Sequence, residues 1–526
     1  MSGSTRLPLP LILIRGFGGL SVGDERRAAY QGFNDGTVYP QKRGENYIYE
    51  GFILRFLKSS WRYQDATNVV GYYDKHVETA KYDYPELKVL PDSLFTGGKL
   101  VVDPAMALHL LRNAEDPCKT LWVFRYYDLN DRKLIEYGKA LVRLIELIQA
   151  LAGHNKPRAA APMVNIIAHS MGGLIVRQAV QQTYPDSGRK AEKYINKIVT
   201  LGTPHQGVSF QVLEKWLGTA AKDELKHFNP EFQSRAENPT SFVNFQKHFP
   251  LQRLLTVVGT NYKAYDVGAA SLGNRIFRID GEYGLNYNRS DGLVKQTYAQ
   301  IPGAPRTFVN KCHGGPDSLV TARESFEIST RFFFGNVRAR LRMIDAEVRR
   351  GKDLFGKSEY FFGVSIKPRG VDFDLFHQSA ESENCYGPFE KKDLSDSAPS
   401  FAWAGADRLI WEGYLDTKSI LEDKNIIKKD MVIRIDFYLG ERDLFGLGFS
   451  DNVVFRKQYY LRGLLESPYS VYVYEDERFA APGYLDEDDK AARKVGSGWE
   501  FDVDGPGFKG CFRIEWDKVP IQDGGK

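Results

Sequence analysis

Apolar residues along the first two-thirds of the chain fall into short β-branched runs that alternate with stretches of helical spacing. The runs Leu9 to Arg15, Leu121 to Tyr126, Met163 to Ala168, Ile195 to Leu201, Leu254 to Gly259 and Arg306 to Lys311 read as strands. Helical patterns follow near Lys133 to Ala152, after Ser170, and from about Asp317. Strands alternating with helices predict a mostly parallel sheet covered on both faces, the α/β class. Between the first two strands, residues 20 to 118 form an irregular, Tyr-rich insertion expected to pack over the sheet edge. Beyond about residue 340 the pattern changes. Val337 to Arg350 reads as a charged helix. Tyr360 to Lys367, Arg408 to Leu415, Met431 to Leu439, Val453 to Tyr460, Val471 to Glu475, Trp499 to Val503 and Cys511 to Trp516 read as strands without long helices between them. That pattern predicts an antiparallel, sandwich-like all-β domain. The expected division is residues 1–340 and 341–526.

One segment inside this pattern carries candidate chemistry. Val164 to Gly173 reads V-N-I-I-A-H-S-M-G-G and runs into Leu174, Ile175, Ala179 and Val180 at helical spacing. Strand, sharp turn and helix with Ser170 at the apex form a nucleophile elbow. Small residues at Ala168 and Gly172 keep a strained turn clear of its neighbours. Alanine replaces the first glycine of G-x-S-x-G, and the alternative is an ordinary crossover turn. A serine nucleophile needs a base, an acid that orients it, and donors for an oxyanion. In the doubly wound arrangement the chain order is nucleophile, acid, histidine.

Elimination narrows the base, because the chain has nine histidines. His76, His109 and His154 precede the serine, and His205, His227 and His248 precede the last strands. His169 adjoins Ser170, and its side chain is expected to leave the turn in another direction. His377 falls in the second domain. His313, in K-C-H-G-G-P-D directly after a predicted strand, stands where open α/β sheets place their chemistry. Acid candidates are Asp266, Asp280, Glu282 and Asp291. Asp291 is preferred, since the N-R-S-D-G-L-V turn offers amides to hold a carboxylate. The Met171 N–H and the Phe17 N–H in Arg15-Gly16-Phe17-Gly18-Gly19 are the expected oxyanion donors. A nucleotide-binding loop is rejected there, because residue 21 is Ser where G-x-G-x-x-G needs glycine.

Composition adds mainly exclusions. At 526 residues the chain is long enough for two or more domains. Its composition is 42% hydrophobic and 26% charged, which suits a globular protein. A net charge of +4, spread along the chain, gives no basic stripe, so nucleic acid is excluded as a partner. Cys118, Cys312, Cys385 and Cys511 lie far apart, with no C-x-x-C spacing, so no metal site, cofactor or disulfide framework is expected. The acidic run Asp486 to Asp489 reads as a solvated loop. The apolar run Leu11 to Ile14 is too short for a membrane span and unlike a signal peptide. The expectation is a cytoplasmic chain, with a removed leader or leaderless export left open.

These residues resemble bacterial lipases and esterases of the α/β-hydrolase superfamily. The likeness rests on L-I-L-I-R-G-F-G-G, N-I-I-A-H-S-M-G-G-L, I-V-T-L-G-T-P-H-Q-G and S-D-G-L-V, with the late histidine as a fifth point. Alanine before His-Ser-Met-Gly-Gly is similar to the Bacillus-type lipases, and Leu201 to Gly207 is also seen in relatives of the GPI inositol-deacylases. The resemblance implies Ser170 as nucleophile, Asp291 as acid and His313 as base. Two departures stand out. Arg15 replaces the usual histidine before Gly-Phe-Gly, and Gly315 replaces the calcium-binding aspartate of Pseudomonas-type lipases, so calcium is not carried over. The implied activity is hydrolysis of carboxylic esters, with lipid acyl esters as substrate. Ser209 to Phe228 places Phe210, Leu213, Trp216, Leu217, Ala220 and Leu225 on one helical face. That face is either a lid, within about residues 207–250, or a helix packed on the core. The second functional reading makes the β-rich domain a lipid-, carbohydrate- or partner-binding module that brings a phospholipase-like hydrolase to a membrane or micelle surface.

Overall fold

A computed structural model describes residues 8–16, 51–66, 84–90, 104–113, 116–124, 133–155, 162–207, 227–262, 290–315, 317–349, 358–369, 371, 373–380, 382–394, 408–417, 430–442, 452–464, 469–476 and 491–519. It also describes residue 33 and the pairs 37–38, 47–48, 70–71 and 101–102. Seven strands form the first sheet: β1 (Leu11–Ile14), β2 (Gln64–Asp65), β3 (Thr120–Phe124), β4 (Val164–His169), β5 (Ile195–Leu201), β6 (Leu254–Gly259) and β7 (Arg306–Val309). Their order is β7-β6-β5-β4-β1-β3-β2, and every described pair is parallel. The central strands β1, β3, β4, β5 and β6 are buried along their whole length, as a parallel sheet covered on both faces requires. Order reverses beside β1, where the chain goes out to β3 and returns to β4. That switch point opens a crevice at the carboxyl ends of the strands. Part of the insertion joins the sheet, since Gln64–Asp65 supplies its edge strand beside β3.

Helices α1 (Phe52–Lys58), α2 (Pro104–Asn113), α3 (Leu134–Asn155), α4 (Met171–Gln178), α5 (Pro230–Gln233), α6 (Phe242–His248) and α7 (Arg323–Phe334) accompany the sheet. The last begins six residues later than the sequence pattern predicts. Residues 318–322 instead form a turn in which the Ser318 carbonyl accepts from the Thr321 and Ala322 amides.

The second sheet system starts earlier and differently from expectation. Val337–Val348 is not a helix but a long strand, β8. The run V-R-A-R-L-R-M alternates strictly, and its burial alternates with it, which is the period of a half-buried strand. The other, half-buried face of β8 carries Arg338, Arg340 and Arg342. These pair across the ladder with Glu515 and Asp517, so charge that reads as helical belongs to one face of a sheet. Nine further strands follow: β9 (Glu359–Pro368), β10 (Tyr386–Phe389), β11 (Leu409–Leu415), β12 (Asp430–Arg442), β13 (Asn452–Leu464), β14 (Ser470–Tyr474), β15 (Arg493–Val495), β16 (Gly498–Gly505) and β17 (Phe508–Lys518). They form two antiparallel five-stranded sheets, β11-β8-β17-β16-β15 and β10-β9-β12-β13-β14. Phe362 and Phe437 of one sheet meet Phe512 of the other at ring centroid distances of 5.9 and 4.7 Å, which closes a sandwich-like core.

The two sheet systems are joined along β7, the outer strand of the parallel sheet. The Phe308 carbonyl accepts from the His377 amide at 3.0 Å, and Thr307 Oγ1 donates to the Leu375 carbonyl at 2.6 Å. Phe376, with no exposed surface, packs on Phe308 with centroids 5.4 Å apart. A segment of the sandwich thus covers a strand edge that would otherwise present unpaired backbone. The same strand leads directly to His313. Truncating Phe376 to Ala empties this joint. It should lower unfolding free energy by about 3–5 kcal/mol, measured as a shift of the urea midpoint. An unchanged midpoint would show that the joint does not hold the fold together.

Candidate active site

Strand β4 ends at His169, and α4 begins at Met171, leaving Ser170 alone at the bend. Its backbone is at φ 52°, ψ −128°, a conformation that non-glycine residues adopt at a cost of about 1–3 kcal/mol. Close packing around the bend holds that strain. A Cβ on Gly172 would stand 2.7 Å from the Ile14 carbonyl oxygen, and one on Gly16 would stand 2.3 Å from Ser170 Cβ. Both positions therefore exclude any side chain, the reason small residues are expected around an elbow. The Met171 N–H lies in the first turn of α4, where helix amides have no intrahelical acceptor. Phe17, the other expected oxyanion donor, lies outside the described residues, as do Asp266, Asp280 and Glu282.

Ser170, His313 and Asp291 come together from three separate parts of the chain. Ser170 Oγ is 2.9 Å from His313 Nε2, and His313 Nδ1 is 2.8 Å from Asp291 Oδ2. The carboxylate can only accept, so Nδ1 carries a proton and Nε2 presents a lone pair to the serine hydroxyl. All three residues are buried. Asp291 is held by its own turn: its Oδ1 accepts from the Leu293 amide at 3.0 Å and the Val294 amide at 2.7 Å. The His313 amide donates to the Asp291 carbonyl at 2.8 Å, so the two segments are also joined through the backbone.

The loop that carries His313 is closed on itself. Lys311 Nζ donates to Asp317 Oδ1 at 2.7 Å, and both side chains are largely buried. Cys312 Sγ lies 3.1 Å from the Asp317 carbonyl and 3.3 Å from that of Gly314. Burial, then the carboxylates of Asp317 and Asp291, push its thiol up to about 12, so Cys312 stays a protonated donor rather than a nucleophile.

Three contributors escape a reading of the sequence. Gly202, in L-G-T-P-H-Q-G, has φ +54°, and a Cβ there would lie 2.7 Å from Asp291 Oδ2 and 3.2 Å from His313 Nδ1. Asp291 and His313 occupy the space that a side chain would take. The second is Arg177, seven residues after Ser170 on the elbow helix. Its guanidinium donates to the His205 carbonyl at 2.6 Å, Gln181 Oε1 at 3.1 Å and Gln233 Oε1 at 2.8 Å, and also to the Thr240 carbonyl. The rings of Phe228 and Phe242 flank it at 4.8 and 5.1 Å. Burial draws its pKa down to about 9. Arg177 thereby ties α4 to the Leu201–Gly207 segment and to residues 227–242. Residues 208–226, which hold most of the expected lid, lie outside the described residues, as does the Asp486–Asp489 run.

His169 is the third. Its ring does not turn away from the site; it lies 4.7 Å from the His313 ring, tilted by 45°. Among the described residues no group of three or more His, Cys, Asp and Glu side chains is arranged to hold a metal ion. No described helix is long and apolar enough to cross a membrane.

Residues 120–238, which include the elbow and Arg177, match the PGAP1-like alpha/beta domain family. The mostly parallel sheet with its flanking helices is α/β-hydrolase-like in architecture. Among solved structures, the mature lipase BlEst2 of Bacillus licheniformis aligns with 62% of this chain and 92% of its own, at 12% identity and a TM-score of 0.30. Phospholipase PlaB of Legionella pneumophila, solved in complex with thio-NAD, aligns with 62% and 82%, at 12% identity and a TM-score of 0.27. A Listeria innocua gene product gives 62% and 94%, at 14% identity and a TM-score of 0.24. Superpositions this loose carry no weight for activity. None of the curated proteins matches the chain in sequence.

The position of Gly202 generates a test of this arrangement. Gly202→Ala must move Asp291 or His313 to make room. A displacement of about 1 Å costs on the order of 100-fold in rate, so kcat on a soluble ester should fall by about that factor. Wild-type kcat would show that the Gly202 contact does not constrain the pair.

Proposed function

We propose that this protein is a serine hydrolase that cleaves carboxylic esters, with lipid acyl esters as its substrate class. The observation that carries this reading is the hydrogen-bonded sequence from Asp291 Oδ2 through His313 to Ser170 Oγ, at 2.8 and 2.9 Å. In it, His313 Nε2 takes the Ser170 proton as Oγ attacks the ester carbonyl carbon. The negative charge that develops on the carbonyl oxygen is held by the Met171 and Phe17 amides. Asp291 keeps His313 in the Nδ1–H tautomer and stabilises the imidazolium that forms. That imidazolium gives its proton to the departing alcohol oxygen, leaving an acyl group on Ser170. Water, activated by the same imidazole, then attacks the acyl carbon and regenerates the serine. Every proton in the cycle moves through His313 Nε2.

The lipid assignment rests on the sequence between Ser209 and Phe228, where apolar residues recur at helical spacing just after the L-G-T-P-H-Q-G segment. Such a pattern suits an acyl chain or a lipid surface. Contact with a micelle or membrane surface belongs to the same reading. The Met171 donor is assigned from its place directly after Ser170, and the Phe17 donor from the sequence Arg15-Gly16-Phe17-Gly18-Gly19.

Two variants and one substrate series test the proposal. Ser170→Ala should abolish hydrolysis of p-nitrophenyl acyl esters. Asp291→Asn, which disturbs the tautomer and leaves the shape intact, should lower kcat by about 10⁴-fold. Turnover near wild-type level in either variant would refute the assigned roles. Across acyl lengths from C2 to C16, kcat/KM should rise towards the longer chains. A maximum at C2 that falls steadily with length would leave the ester hydrolase standing and remove the lipid assignment.

A further inference from the structure

His169 takes no part in the proton path from Ser170, yet it is buried against it, 4% exposed. Its Nε2 lies 2.8 Å from the main-chain carbonyl oxygen of His313. A carbonyl oxygen only accepts, so the proton of His169 is on Nε2. Burial, followed by the neighbouring His313 and Arg15, holds the ring's pKa well below the ordinary histidine range. The neutral ring therefore keeps a lone pair on Nδ1, and that nitrogen faces the Gly16 N–H at 3.4 Å. Gly16 follows β1, precedes Phe17 in the sequence and packs directly on Ser170. One imidazole thus bridges the backbone of His313 and that of Gly16 on either side of Ser170.

We propose that His169 is a positioning residue for ester hydrolysis: in its Nε2–H tautomer it ties the His313 loop to the Gly16 turn and holds both in register about Ser170. This rests on the reading of Ser170 and His313 as nucleophile and base. The chemistry favours histidine over an apolar residue of similar size, because the site needs a donor on one side of the ring and an acceptor on the other. Neutrality matters as well. The His313 ring, 4.7 Å away, becomes cationic during the reaction, and a second positive charge beside it would oppose that step.

Glutamine and methionine separate this role from simple space-filling, since they have similar length and only glutamine can donate to the His313 carbonyl. Measured on the full chain with p-nitrophenyl butyrate, His169→Met should lower kcat by about 100-fold with KM within about twofold of wild type. His169→Gln should return kcat to within about tenfold of wild type. Wild-type kcat in His169→Met would overturn the proposal. Equal impairment of the two variants would do so as well, because the donor would then make no difference. Ser170→Ala, assayed alongside, keeps the two claims apart. If it retains turnover, the reading of the site fails. If it is inactive while His169→Met matches wild type, only the role of His169 fails. Should neither His169 variant fold, long-range proton–nitrogen spectra of the wild-type histidines decide. A neutral Nε2–H ring at His169 upholds the proposal, and a ring protonated on Nδ1 overturns it.

Discussion

Two hydrogen bonds on opposite nitrogens of one imidazole are the constraint that the rest of this structure serves. His313 can present a lone pair to Ser170 only while Asp291 holds its other nitrogen, and the three residues lie far apart along the chain. Bringing them together requires the parallel sheet, whose strands end at one face and deliver the serine elbow after β4 and the histidine loop after β7. Burial raises the stakes. A carboxylate taken out of water must be hydrogen-bonded, and the Leu293 and Val294 amides meet that demand. The acid is therefore fixed by its own turn before it meets the base.

Space is as tightly controlled as charge. Gly16 and Gly172 let the backbone close on the elbow, and Gly202 leaves the volume in which Asp291 meets His313. Arg177 extends the same order outward. It spends its hydrogen bonds on neutral acceptors in the Leu201–Gly207 segment and in residues 227–242, rather than on a carboxylate. On the far side, the sandwich braces β7 through Thr307 and Phe308, the strand that positions the histidine loop. The second domain is thus part of the scaffold of the site as well as a neighbour of it.

Much of this was legible in the residues alone. Fully apolar runs announced the parallel strands, and the elbow stood out because a strand pattern breaks at Ser170 and a helix pattern resumes at once. The scarcity of histidines isolated His313, and the turn chemistry of N-R-S-D-G-L-V singled out Asp291. What stayed hidden depends on direction in space. A histidine at the end of a strand does not reveal which loop its ring will meet, so His169 was expected to face elsewhere. Nothing in the sequence around Gly202 tells which atoms it makes room for. Val337–Val348 was misread for a simpler reason. Its dense charge suggested a solvated helix, while the strict alternation of Arg338, Arg340 and Arg342 with buried neighbours already had the period of a strand.

Covalent capture of the nucleophile tests the account most directly. The full chain, treated with a p-nitrophenyl alkylphosphonate and mapped by peptide mass spectrometry, should carry one phosphonyl group, on Ser170. Labelling should be lost when His313 is replaced by Ala. An adduct on another residue, or labelling of Ser170 at an undiminished rate without the imidazole, would contradict the account.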